Sequence, residues 1–252
     1  MAQQDGIIKL NGKIGDLSFF KTKDGYQARS KGGVSAERIK TDPGFQRTRE
    51  NNAEFSEVCS ASKKIRDVLR GMILLTHDPK MATRLTGRVY KMMRADTENI
   101  RGERKVKPAS FKVLKDFNFN ETAPLNNTLF VTPAFSIDRV SGIVSLEIPA
   151  VIADVHLAKP KGATHYRITA GAALISLDEE VETSVLLMES SPYQLITKES
   201  LAETLTSNLP PNAVNPIGLV IGIGFYQEVN GLYYTLNNGA YNALCLVAVD
   251  TI

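Results

Sequence analysis

The sequence predicts an α+β fold: an N-terminal β-hairpin and a helical hairpin, followed by a mainly antiparallel β-sandwich. Three observations predict it. Two segments headed by Asp-Pro carry apolar residues at three- and four-residue spacing, the period of a helix with one buried face. Beyond Pro108 the chain breaks into short runs rich in Val, Ile, Leu and Thr, bounded by Pro, Gly and Asn. The charge changes sign at the same place. Residues 1–110 hold 23 Lys+Arg against 13 Asp+Glu (net +10), and residues 111–252 hold 7 against 14 (net −7), which together give the +3 of the whole chain. The charged run 101–107, closed by Pro108, marks the expected boundary between a basic domain, 1–110, and an acidic one, 111–252.

Residues 6–31 read as short strands punctuated by Asn11-Gly12, Ile14-Gly15 and Asp24-Gly25. Asp-Gly between strand-like runs reads as a hairpin turn, because glycine accepts a positive φ. Leu17, Phe19, Tyr26 and Ala28 are expected on one face. A two-stranded hairpin is marginal alone, so it needs a helix or another chain to pack on. Asp42-Pro43 starts the first helix: the carboxylate takes up orphan amide groups and proline suits the first helical position. Phe45, Phe55, Val58, Ser62, Ile65, Leu69 and Met72 form its expected apolar stripe over 43–74, with a break allowed. Asp78-Pro79 starts the second helix, striped by Met81, Leu85, Val89, Met92 and Ala95. Joined by a short link, the two are expected to pair as a helical hairpin.

Expected strands lie at 114–119, 129–135, 143–148, 165–172, 182–188, 219–227, 232–236 and 244–249, the set a sandwich or a related barrel needs. Asn230-Gly231 asks for a type I′ turn, and Asn237-Asn238-Gly239 is the next turn. The stretch 189–216 reads as a long crossing loop with a short helix over 200–206.

Length and composition exclude several classes. With 252 residues, 43% of them apolar, the chain can bury a real core and is not disordered. Two cysteines cannot staple a chain of this size. The most apolar run, 216–225, is half the length of a membrane span, which predicts no membrane insertion. Met-Ala-Gln-Gln-Asp lacks the basic-then-apolar start of a secretory signal, so the expected location is cytoplasmic or particle-associated.

Chemistry-bearing residues are scarce. His77, His156 and His165 have no partners at metal-site spacing, and Cys59 and Cys245 fall at apolar positions. Asp178-Glu179-Glu180 and Glu182 follow an apolar strand and read as a hairpin tip. The glycine clusters form neither a P-loop nor a dinucleotide fingerprint, so Gly222 and Gly224 are expected to serve close packing or a bulge. The expectation is therefore no catalytic residue, no metal and no cofactor.

Gly12-Lys13-Ile14-Gly15-Asp16, Phe19-Phe20-Lys21 and Gly25-Tyr26-Gln27-Ala28-Arg29-Ser30, with the helix from Asp42-Pro43 to Phe55, resemble the opening of a family of uncharacterised Bacteroidota proteins. Residues 224–241 resemble the tail of a related group. The resemblance spans both ends and implies no activity. Residues 160–168 also resemble the fibronectin type III pattern, without its usual tryptophan.

Together these features point to a structural or protein–protein interaction module that forms homo-oligomers or binds a protein partner. An assembly component of a phage-like particle or a surface-associated machine fits that description. The alternative is a nucleic-acid-binding protein using the basic helix faces. In either case the expected contact residues are Arg47, Arg49, Lys63, Arg66, Arg84, Arg88 and Lys91.

Overall fold

The computed structural model describes residues 2–30, 32–177 and 184–252. The expected acidic tip at 178–182 lies outside the described residues. Two compact units divide the chain, residues 1–51 and 52–252.

In the first unit, β1 (Ala2–Gln3), β2 (Gly12–Ile14), β3 (Leu17–Thr22) and β4 (Gly25–Ser30) make one antiparallel sheet, ordered β1-β4-β3-β2. The expected hairpin is its centre. Phe19 pairs with Ala28 and Lys21 with Tyr26, which puts Leu17, Phe19, Tyr26 and Ala28 on one face. Two further strands widen that hairpin, one on each side. Helix α1 (Ala36–Thr41) follows, with the Ser35 hydroxyl accepting the Arg38 amide. Asp42 accepts the Gly44 amide at 2.8 Å, with Pro43 leading a 3-10 turn over Pro43–Phe45 that runs into α2 (Gln46–Val68).

In the second unit, α2 stops at Leu69, a short α3 (Arg70–Ile73) follows, and α4 (Met81–Arg94) comes after Asp78-Pro79. The first helix is thus broken where a break was allowed. Its stripe needs one correction. Val58, Ile65, Leu69 and Met72 are buried as expected, but Phe55 points to solvent and its neighbour Glu54 is buried instead. Glu54 is held because its carboxylate accepts the Gly102 amide at 3.0 Å and lies 3.7 Å from the Arg104 guanidinium. The two long helices meet where Ser62 Oγ lies 3.2 Å from Thr86 Oγ1.

The strands that follow are β5 (Phe117–Asn118), β6 (Ala134–Ile137), β7 (Ile143–Ile148), β8 (His165–Leu174), β9 (Val185–Ser190) and β10 (Gln194–Leu195). After them come β11 (Glu203–Asn208), β12 (Ile217–Val229), β13 (Leu232–Thr235) and β14 (Ala243–Asp250). Single-turn helices α5 (Leu125–Thr128) and α6 (Ala153–His156) lie between them. One large sheet runs β10-β8-β12-β14-β5, with β9 also on β8 and β13 also on β12; a small sheet runs β11-β7-β6. All pairings are antiparallel.

Three expected elements differ. The helix expected over 200–206 is irregular to Ala202 and strand β11 from Glu203: Thr204 and Thr206 favour a pleated edge, and only Leu205 turns inward while Leu201 stays exposed. The strand expected at 114–119 shrinks to two residues, because a 3-10 helix over Pro108–Leu114 buries Phe111 and Leu114, and Asp116 adopts φ 62°. The strand expected at 129–135 starts only after Pro133, since Leu129 forms an isolated bridge with Leu157.

The large sheet is buried on both faces, so the second unit has three layers. Along β12, Ile217, Leu219, Ile221, Ile223 and Phe225 face the small sheet, where Val144, Leu146, Ile148 and Leu205 meet them. Val220, Ala173, Leu244 and Leu246 face the other way, onto Val58, Ile65, Met72, Leu85, Val89 and Met92 of the helices. Each such side chain contributes roughly 1.5–3 kcal/mol. This layering explains why residue 110 does not separate the compact units. The helical stripes before it and the strands after it bury one another. Glycines on the helix-facing side make room: a Cβ at Gly222 would come within 3.0 Å of Leu244, and one at Gly171 would overlap the Met72 sulfur. Strict alternation fails in β14, where a register shift opposite Leu219 and Val220 leaves Val247 unpaired. It turns Ala248 toward the small sheet and Val249 toward the helices.

Candidate interaction surfaces

Of the seven basic residues expected to make contacts, Arg47 and Arg49 lie in the first unit and Lys63, Arg66, Arg84, Arg88 and Lys91 in the second. Within the first unit, Arg47 pairs with Glu50 at 2.7 Å, and Arg49 donates to the carbonyls of Ile39 (2.8 Å) and Asp42 (2.9 Å), closing the end of α1. In the second, Lys63 lies 3.6 Å from Asp67, and Arg66 donates to the Ser62 carbonyl on its own helix.

Arg84, Arg88 and Lys91 do come together, because they recur at four and three residues along α4. With Gly87, Phe117 and Asn118 they line a depression of about 460 Å³ beside β5. Arg84 is spent on structure. Its guanidinium donates to Asp78 at 2.5 Å and to the Asn118 carbonyl at 2.9 Å, lies 3.5 Å from Glu121, and sits over the Phe117 ring. It therefore fastens α4 to the outer edge of β5. Burial works to raise the Asp78 carboxyl, but Arg84 and the amides of Lys80 and Glu121 outweigh it and hold it below its usual range. Asp116 and Glu121 line the same depression, so its positive field is partly cancelled.

A stronger anomaly is in the first unit. Not one of its described residues is buried. Ile7 and Ile8 are 102% and 80% exposed, Ile14 is 60% and Leu17 45%. Its aromatic rings find only cations: Lys21 and Lys9 stand over Tyr26, and Arg29 over Phe20. Four strands and a one-and-a-half-turn helix that bury nothing of their own lack the main term that stabilises a fold. At the sheet's side, β2 pairs only with β3, so its outer edge carries unpaired backbone groups.

The second unit has an apolar opening of its own. β6 pairs only with β7. Next to its free edge lies an apolar cleft of about 460 Å³, floored by Ile221 and Val247 and rimmed by Phe130 and Phe135, both about half exposed. Cys245 lines it too. Burial pushes its thiol up to about 12, which keeps it protonated and unreactive at neutral pH. A larger cavity of about 780 Å³ lies among Glu57, Lys64, Lys105, Phe111 and Asn215; Lys105 pairs with Glu57 at 3.0 Å and Lys64 donates to the Leu177 carbonyl.

The three histidines are separate. His77 is exposed, His156 accepts the Ile152 amide, and His165 packs edge-on against Tyr233. Among the described residues no group of three His, Cys, Asp or Glu side chains is placed to hold a metal ion. No helix among them is long and apolar enough to cross a membrane. The sequence reading missed two polar hubs. Asp96 accepts bonds from Asn99, the Lys105 amide and Lys107, and Asn242 links the Leu75 carbonyl to the Phe225 amide. It also missed the stacked rings of Tyr193 and Tyr233 at 3.9 Å. The partners of Asn242 and of the two tyrosines are remote in sequence, so no local motif marks them.

No protein-family model, curated protein or solved structure matches the chain.

Proposed function

We propose that this chain is a structural, protein–protein interaction module that associates with copies of itself, as an assembly component of a phage-like particle or a surface-associated machine would. The observation that supports this reading most is the first unit, whose apolar side chains are exposed and whose sheet has no core. A second surface is what would give those side chains somewhere to be buried. The test is the mass of the full chain by multi-angle light scattering over a wide concentration range. Association that grows with concentration is expected; a constant monomer mass would overturn the reading.

A second reading, nucleic-acid binding, has one observation in its favour. Arg88 and Lys91 line the α4 depression with no hydrogen bond or ion pair to another described residue. It predicts salt-dependent binding to duplex DNA, with the slope of log affinity against log salt reduced by about 2 in an Arg88→Ser, Lys91→Ser double variant. Indifference to DNA at low salt would remove it.

A further inference from the structure

The register of the first sheet sorts its side chains into two unlike faces. Rows across the strands set Ile14 beside Leu17, put Gly12, Phe19, Ala28 and Ala2 in line, and set Lys21 beside Tyr26. Among these strand residues, which make one face, Lys21 carries the only charge. The other face holds Gln3, Lys13, Ser18, Gln27 and Arg29, and its one ring, Phe20, lies under the Arg29 guanidinium. The sheet is thus amphipathic, and its apolar face is uncovered. Ile14 and Leu17 are exposed, and none of the unit's described residues is buried.

We infer that this face packs against the same face of a second copy, so that two chains join as a twofold dimer through one two-layer sandwich. The inference rests on the self-association reading above and names its surface.

A single layer of sheet has no core, and a stable fold needs a second layer to bury its apolar side. The sheets of the second unit do not offer that layer. The large sheet is already covered on both faces. The outward face of the small sheet is polar, with Ser136, Ser145 and Thr206 in one row and Glu147 beside Thr204 in the next. The projecting β12–β13 ribbon exposes Val229, Leu232 and Tyr234, but it is only two strands wide. The first unit of a second copy matches in width, in twist and in apolar chemistry. Sheets of equal twist stack with their strands within about 30° of each other. Residues 1–51 taken twice reach roughly a hundred residues, the ordinary size of a domain with its own core. An antiparallel arrangement about a twofold axis through the Phe19–Ala28 row sets the two Lys21 side chains at opposite ends, so the one charge on the face does not meet its copy.

The experiment places a charge in the middle row of the face, in full-length Ala28→Asp and Ala28→Lys variants, and reads mass by light scattering over a wide concentration range. Wild type is expected to rise to twice the monomer mass and stop, because a twofold contact closes on itself. Each variant alone is expected to stay a monomer, since its copies set like charges face to face. An equimolar mixture is expected to recover the dimer, which also shows that both variants are folded. Ser18→Asp, on the opposite face and paired with Lys13 and Arg29, is expected to dimerise as wild type does. Recovery in the mixture is specific to self-contact: against the β12–β13 ribbon, or against a different protein, neither new charge meets its opposite. A mixture that stays monomeric, a wild-type mass that climbs past the dimer, or loss of association in Ser18→Asp overturns the inference. If wild type associates and the Ala28 variants associate equally well, the sheet face is not the contact and the self-association reading stands alone. A wild-type chain that never associates overturns both.

Discussion

Gly171 lies where β8 passes under Met72, a fully buried side chain, and a Cβ there has no room. Gly171→Val is expected to destabilise the second unit by about 1–3 kcal/mol, as overpacking does. In a thermal melt that lowers the midpoint by roughly 5 °C. Acid acts on a different set of residues. Hydrogen bonds from Asn99 and the Lys105 amide hold the Asp96 carboxyl far below its usual range; those from the Gly44 amide and Arg38 lower Asp42; those from Ser141 and Val140 lower Asp138. A carboxyl whose folded pKa is depressed stabilises the fold at every pH above its unfolded value, about 3.9. That contribution is lost as pH falls through the folded value. Stability measured by urea midpoints is therefore expected to be flat on this account from neutral pH to about 5 and to fall below about 4. Single residues were legible where period decides them and opaque where a distant partner does. Leu85, Val89 and Met92 follow from helical spacing, but the exchange of Phe55 for Glu54 depends on the Gly102 amide, 48 residues away.

Element boundaries follow the same logic. Asn230-Gly231 predicts a type I′ turn, and the two residues take φ of 54° and 79° between the paired Val229 and Leu232. Asp42-Pro43 and Asp78-Pro79 both open helical segments as their chemistry requires. Elements that exist only through a neighbour were not legible. β11 is a strand because β7 is beside it, and β5 is short because a 3-10 helix takes up Phe111 and Leu114 first. The attachment of α4 to β5 is such a feature, and it can be measured. A double-mutant cycle on Arg84→Ala and Asp78→Ala is expected to give a coupling of about 1 kcal/mol, since the pair is partly buried and its hydrogen bond is charge-assisted. Additive effects would mean that Arg84 acts through the carbonyl and the Phe117 ring alone.

For the whole molecule, the sequence shows a charge boundary at residue 110, and the structure shows a compactness boundary at Asn51. The two differ because surface charge is compatible with many folds, whereas an apolar stripe must be covered. The helices of 52–94 are covered by the large sheet, so their basic faces belong to the same unit as the acidic strands. If association buries the exposed apolar side chains of the first unit, raising ionic strength at fixed protein concentration is expected to leave the average mass in sedimentation velocity unchanged; a mass that falls with salt would mean that charge drives the contact. One further consequence lies in the order of the strands. β14, the last strand in sequence, sits inside the large sheet between β12 and β5, and completes the surface on which the helices rest. A ribosome delivers residues in order, so the helices and Ile217, Leu219, Ile221 and Ile223 of β12 emerge before the strand that encloses them. The second unit cannot close until residues 243–250 are free, and until then this chain is the kind of nascent polypeptide that holding chaperones recognise.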